Sequence, residues 1–295
     1  MFKRGIFAKQ CLFLLFLITS LFFLNSCQSV TKLDENGNFI PSYKLEESLN
    51  FEEVEEPYKY IFLRLYDIDY LNPFYIANIL KFGINLTEVN DVQASHASIN
   101  FRLTDDFYGL TSGGKFQLEK ESCLDTKSNK FFKKVNPNNS TQLTYAIKVS
   151  EEDYYDALAM VEDYAGNSDV KYDVIENFKI AHFSTRRRFR TKQDERSMED
   201  MFYPELDEDD KATNFVCSTF CAYILKENVD YIRDWFDVNE INYKYVGVSD
   251  LPSIPGVVEL FSSPFLEYDI AVEAFIEKYP EFAMYYDELK TEDSN

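Results

Sequence analysis

The stretch from Thr213 to Leu225 constrains the fold more than any other part of the chain, and its sequence is T-N-F-V-C-S-T-F-C-A-Y-I-L. It contains neither glycine nor proline, and its apolar residues continue for about three helical turns, which predicts a helix. Thr213 or Asn214 is the predicted N-cap, because a side-chain oxygen there accepts a hydrogen bond from an otherwise unpaired amide. The residues that we expect to face a core are Phe215, Phe220, Tyr223 and Ile224.

Two cysteines lie on this predicted helix in different electrostatic surroundings. Cys217 falls in the first turn, where unpaired amides and the positive end of the helix dipole favour an anion such as a thiolate. Cys221 lies one turn deeper, where the dipole effect has faded. Two interpretations stay open: Cys217 is a reactive thiol, or both cysteines are small apolar side chains on the inner face of the helix.

Residues 1–26 predict an export signal and not a part of the folded domain. Basic residues precede an apolar run from Cys11 to Leu24, which is shorter than the roughly 20 residues of a membrane-spanning helix. The run ends in L-N-S-C, which resembles the lipobox of bacterial lipoproteins, in which the cysteine becomes the lipidated first residue of the mature chain. We therefore expect Cys27 to carry acyl chains that hold an exported domain at the membrane of a bacterial cell envelope. An uncleaved anchor and a plain secretory signal are the alternatives.

The charge of the chain excludes several classes of partner. There are 51 acidic against 30 basic side chains, a formal net charge of −21, and loss of the basic signal makes the mature chain more acidic still. Such a charge argues against nucleic acid and against an electrostatic grip on anionic lipid. Membrane attachment must therefore come from the acyl anchor.

Five cysteines and two histidines limit disulfide and metal chemistry. Cys11 leaves with the signal and Cys27 takes the lipid, so Cys123, Cys217 and Cys221 remain in the domain, and at least one thiol is free. A disulfide from Cys123 to either helix cysteine stays open. No C-x-x-C pair occurs, and we expect neither a metal nor a cofactor.

Local patterns divide the mature chain into an acidic tether at 27–57, a domain at 58–264 and a C-terminal helical extension at 265–295. The predicted strands are Tyr58–Tyr66, Ala94–Leu103, Phe107–Thr111, Lys115–Glu121, Gln142–Val149 and Tyr243–Val248. The predicted helices are Phe74–Phe82, a Ser150-capped helix that ends at Gly166, the Cys217 helix, Val229–Asn239, and Glu267–Leu289 with a bend near Pro280. Together they predict an α+β fold in which a small antiparallel sheet packs against helices.

His96 and His182 are the two candidate bases for a cysteine enzyme. His96 lies on a predicted strand and shares one face with Ser98 and Asn100. His182 is near the basic cluster Arg186–Arg190, which would oppose protonation of its imidazole. We therefore prefer His96 as the base. The basic cluster itself is either a solvated loop or a lip that binds an anionic substrate.

Two motifs together resemble the circularly permuted NlpC/P60 papain-like superfamily, which includes the lecithin:retinol acyltransferase-like proteins. They are S-H-A-S-I with a following D-x-Y-G-L hairpin, and, much later, F-V-C-S-T-F-C-A-Y-I-L; in that superfamily too the histidine strand precedes the cysteine helix. The resemblance covers roughly 58–264 and implies a permuted papain-like fold with Cys217 as nucleophile and His96 as base. Thr111, or else Tyr108, would orient the imidazole, although many relatives carry a carboxylate or an amide at that place.

The resemblance implies a lipid-anchored cysteine hydrolase that transfers acyl groups from amide bonds, with peptidoglycan peptides as the candidate substrate. The first alternative is a hydrolase or acyltransferase for acyl lipids or thioesters on the same fold. The second is a non-catalytic surface lipoprotein that uses the cleft to bind a ligand or partner.

Overall fold

The computed structural model describes residues 49–69, 94–110, 117–120, 136, 140–167, 169–173, 180 and 212–286, and of 117–120 the backbone only. Contacts divide the chain into Met1–Ile40 and Pro41–Asn295, and the described residues belong to the second unit. Several predictions lie outside the described residues: the signal with Cys27, the helix Phe74–Phe82, Thr111, Cys123, His182 and Arg186–Arg190.

A six-stranded antiparallel sheet forms the centre of the described domain, in the order β4-β3-β2-β1-β5-β8. Its strands are β1 (Tyr58–Asp67), β2 (His96–Asn100), β3 (Asp106–Gly109), β4 (Gln117–Lys120), β5 (Thr141–Ser150) and β8 (Val257–Pro264). Two short strands, β6 (Lys171–Tyr172) and β7 (Asn214–Phe215), pair in parallel apart from this sheet. β1 and β5 pair along their full length, which gives the longest strand pairing among the described residues.

One side of the sheet is covered by α1 (Glu151–Gly166), and we call this side the α1 face. The residues of β1 and β2 that point to it are Lys59, Ile61, Leu63, Leu65, Ala97 and Ile99. Lys59 defines this side, because its Nζ lies 3.4 Å from the Glu151 carboxylate and 5.5 Å from the centre of the Tyr154 ring. The helices α2 (Cys217–Asn228) and α3 (Asp230–Val238) continue the same layer. α2 contacts both α1 and β2, with the Phe220 ring 5.4 Å from that of Tyr164.

The opposite side, the α4 face, consists of Tyr60, Phe62, Arg64, Tyr66, His96 and Ser98. It is covered by α4 (Tyr268–Lys278) and by the 3₁₀ helices η3 (Phe265–Glu267) and η4 (Pro280–Tyr285). The Tyr60 ring lies 4.6 Å from that of Phe282, and the Arg64 guanidinium lies 3.7 Å from the Tyr268 ring. Because helices cover both faces, β2 is buried throughout.

The α+β prediction is confirmed, and most predicted elements appear close to their expected bounds. The strand predicted at Tyr243–Val248 is wrong. This segment forms the 3₁₀ helix η1 (Tyr243–Tyr245), whose first turn is closed by Asn242, which accepts a hydrogen bond from the Lys244 amide at 2.9 Å. A further 3₁₀ helix, η2 (Val248–Ser253), follows it.

β8 is a strand that the sequence patterns did not predict, and it supplies one edge of the sheet. Its first residues, Val257 and Val258, closely follow Pro252 and Pro255, and prolines this close together are typical of a turn. The strand forms because β5 offers an unpaired edge, along which β8 pairs with a register shift between Thr144 and Tyr145.

The C-terminal segment packs against the sheet over the residues that the structure describes. α4 ends at Lys278, and Pro280 opens η4, so the single bent helix predicted for Glu267–Leu289 is interrupted here. The Leu103 amide donates to the Tyr285 carbonyl at 2.9 Å, which joins η4 to the end of β2. At the other end of the chain, Phe51 of the predicted tether packs on Tyr60, with ring centres 5.0 Å apart.

Candidate functional site: the Cys217 helix and strand β2

Cys217 is the first residue of α2, so its predicted place in the first helical turn is confirmed. The cap differs from the prediction, because Asn214 and Phe215 form β7 and Val216 is the N-cap. The Val216 amide donates to the Thr219 Oγ1 at 3.0 Å, which satisfies one unpaired group at the helix start.

Both helix cysteines are free thiols, and both are buried. Cys217 exposes 6% of its surface and Cys221 exposes 1%, and both belong to the main hydrophobic core. A nucleophile must be reached by its substrate, whereas a buried cysteine behaves as a small apolar side chain. The burial therefore favours the structural interpretation of this pair.

His96 is the first residue of β2, and its side chain lies on the α4 face. It is the register partner of Tyr66, and the two rings are stacked with their centres 5.3 Å apart. On its other side Tyr66 stacks on Phe265 of η3 at 5.4 Å. The Tyr66 hydroxyl also lies 3.1 Å from the Ser98 Oγ, which belongs to the same face of β2. His96 exposes 3% of its surface.

The structure thus brings β2 and α2 into contact as elements. α2 packs on the α1 face, whereas the His96 imidazole is directed to the α4 face. The Cys217–His96 pair stays a prediction, and the strand register counts against it. Thr111, the predicted orienting residue, lies outside the described residues.

Tyr108 is the alternative orienting residue, and the structure describes it. It is the register partner of Ile99, which places its side chain on the α1 face. Burial, with a contribution from the negative charge of Glu162 on α1, raises the pKa of the Tyr108 hydroxyl, and Arg102 acts in the opposite direction. Tyr108 is therefore close enough to α1 for the charge of Glu162 to act on it, and its role as an orienting residue stays a prediction.

A cavity of about 290 Å³ opens where α1, α2 and α3 meet. It is lined by Ser150, Glu152, Asp153, Asp156, Glu227, Asn228, Asp230 and Arg233. Arg233 forms an ion pair with Asp230, with 2.8 Å between the charged atoms. Burial raises the pKa of Asp153, although the Ser150 hydroxyl lowers it.

Within the described ranges, no group of three or more histidine, cysteine or acidic residues has the arrangement of a metal site.

Sequence reasoning did not anticipate the buried arginine on the α4 face. Arg64 is fully buried, and its guanidinium lies between the rings of Phe107 and Tyr268, at 3.6 and 3.7 Å from their centres. The signal was present in β1, where an arginine interrupts the apolar run Y-I-F-L-R-L-Y.

Comparisons with protein-family models, with curated proteins and with solved structures found no match. The resemblance to the permuted NlpC/P60 superfamily therefore rests on the two motifs. Among the helices that the structure describes, none has both the length and the apolar composition needed to span a bilayer.

Proposed function

We propose that this chain is an exported, lipid-anchored envelope protein that works as a binding module and whose helix cysteines are structural. The observation that carries the proposal is the register of His96 with Tyr66, because it directs the imidazole to the α4 face while α2 lies on the α1 face. A cysteine nucleophile needs a base within hydrogen-bond reach, about 2.6–3.2 Å from the group it deprotonates.

The burial of the two thiols supports the same proposal. Cys217 and Cys221 belong to the hydrophobic core together with Phe220 and Ile224, so they contribute to the packing of α2. The small side chains of α2 also let the helix approach β2 closely, since Ala97 is the residue that β2 presents on that face.

The charge of the protein decides the class of partner that we expect. With a formal net charge of −21, the chain repels polyanions and attracts cationic partners, while neutral partners are tolerated. The acyl anchor predicted at Cys27 would hold this acidic domain next to partners in the envelope.

Thiol reactivity tests the proposal. A cysteine-directed probe at neutral pH, with labelled peptides assigned by mass spectrometry, should modify Cys217 and Cys221 equally and slowly in the native protein. Cys217→Ala and Cys221→Ala form a matched pair that each remove one site and should leave the other rate unchanged. Rapid and selective labelling of Cys217, lost in Cys217→Ala, would overturn the proposal.

A cysteine hydrolase is the second candidate, and the position of Cys217 as the first residue of α2 favours it, because an anion is stabilised there. The protein and its Cys217→Ala variant would be incubated with peptidoglycan peptides and, separately, with acyl lipids. Product release that depends on Cys217 would establish the enzyme, and the substrate cleaved would separate an amidase from an acyl hydrolase. Under our proposal neither substrate is cleaved.

A further inference from the structure

Arg64 carries a positive charge in the interior between the sheet and α4. Its side chain has an exposed fraction of 0%, and no carboxylate in the described part of the chain lies within ion-pair distance of its guanidinium. Its Nη2 donates to the Thr104 carbonyl at 3.0 Å, and its Nη1 donates to the Asp105 carbonyl at 3.4 Å. Carbonyl groups and aromatic faces stabilise the guanidinium, but neither neutralises its charge.

Four buried polar atoms on the α4 face make no hydrogen bond of normal length and angle within the described part of the chain: Arg64 Nε, Gln142 Oε1, Thr144 Oγ1 and Tyr268 Oη. We call these four residues the Arg64 cluster. They are neighbours in the fold, since Thr144 is the β5 register partner of Arg64 and Gln142 is that of the adjacent Tyr66. The Tyr268 ring lies on the guanidinium. Buried polar groups without partners cost free energy, so such a concentration of them in one place indicates a guest.

Two titratable groups, Tyr268 and Asp269, interact with Arg64. Burial raises the pKa of Tyr268, although the charge of Arg64 and polar contacts of the hydroxyl with the Arg64 and Thr144 side chains lower it, so the phenol stays neutral at physiological pH. Asp269 interacts with Arg64 at longer range. Burial, together with the charges of Asp105 and Glu273, raises the pKa of Asp269.

We propose that the Arg64 cluster binds a small inorganic anion of the size of chloride. The Nε–H of Arg64 and the hydroxyls of Thr144 and Tyr268 can all donate to such an ion, and a rotated Gln142 amide would add another donor. A water molecule would satisfy the same donors but would leave the charge in place. Rings cover both faces of the guanidinium, so the anion contacts its edge and must be small.

Unfolding of the purified full-length protein at constant ionic strength, with chloride replaced stepwise by gluconate, tests this site. Above the dissociation constant, each tenfold rise in chloride should raise the folding equilibrium constant about tenfold, because the ion binds the folded state only. Bromide should replace chloride. Thr144→Val and Tyr268→Phe should each weaken the chloride dependence, because each removes a donor to the ion. Asp269→Asn removes a nearby negative charge and should shift the chloride dependence to lower chloride concentration.

Tyr245→Phe is the matched control, because it removes a buried hydroxyl from η1, which packs on α2 on the other side of the sheet. Its chloride dependence should equal that of the parent protein. Identical unfolding in chloride and gluconate would mean that water fills the cluster and would overturn the proposal. A chloride dependence unchanged in both Thr144→Val and Tyr268→Phe would do so as well.

Discussion

Gly256 shows how one residue without a side chain permits the chain to turn into β8. Its φ of +75° lies in the left-handed region, which is costly for residues with a Cβ. A Cβ at this position would lie 2.5 Å from the Tyr231 hydroxyl oxygen. That hydroxyl donates to the Lys148 carbonyl of β5 at 3.2 Å, so it has little freedom to move away.

Gly256→Ala should therefore lower the free energy of unfolding by about 1–3 kcal/mol, as measured by urea denaturation. Gly166→Ala is the matched control, because a Cβ there meets nothing within 4 Å and the residue lies at the end of α1. Alanine is the better helix former, so this change should be neutral or stabilising by up to about 1 kcal/mol. Equal losses in the two variants would contradict the argument.

At the scale of elements, α1 has the better-capped start of the two helices that lie against each other on the α1 face. Ser150 accepts a hydrogen bond from the Asp153 amide at 3.0 Å, and the first turn carries Glu151, Glu152 and Asp153. These acidic groups complement the positive end of the helix dipole. α2 has no acidic residue in its first turn and begins after Val216, whose side chain makes no capping bond.

Ser150→Ala should destabilise the protein by about 1 kcal/mol, because the Asp153 amide loses its acceptor. Ser150→Thr keeps a hydroxyl at the same place and should recover most of that loss. Urea denaturation of both variants gives the comparison. An Ala variant as stable as the parent would show that the cap contributes nothing to α1.

At the scale of the whole molecule, buried and partly buried tyrosines connect the layers. Burial is the main cause that raises the pKa values of Tyr60, Tyr145, Tyr164 and Tyr231 above the ordinary tyrosine range. Tyr164 donates to the Ala212 carbonyl, and its ring packs against Phe215 and Phe220, so it joins α1 to the start of α2. Ionisation of such groups would break the contacts between layers.

These pKa directions predict alkaline unfolding. The tyrosines have folded pKa values above the unfolded value of about 10, so their stabilising contribution is complete below pH 10 and is lost as the pH rises further. Tyrosinate absorbance should therefore rise cooperatively, together with loss of the circular dichroism signal. Protein in urea, as the reference, should titrate gradually near the ordinary value. A gradual titration of the folded protein near pH 10 would count against the prediction.

The local elements that the patterns predicted are those whose determinants are contiguous in the chain. β1, β5 and α1 follow from alternation, from helical periodicity and from the Ser150 cap, and the structure confirms all three. β8 was missed, because an edge strand depends on the partner that it meets and its own pattern is weak. The segment Tyr243–Val248 was misread, because a local Asn242 turn outweighs its β-rich composition.

The sequence also predicted only part of the candidate site, namely the features that depend on neighbouring residues in the chain. Alternation along β2 determined that His96, Ser98 and Asn100 share a face, and helix periodicity determined that Cys217 lies in the first turn of α2. Only the tertiary structure decided which face α2 covers, because that depends on how the layers pack on the sheet. The burial of Arg64 beneath Tyr268 was decided there too, because a one-dimensional pattern records which residues share a side but not which layer packs on it.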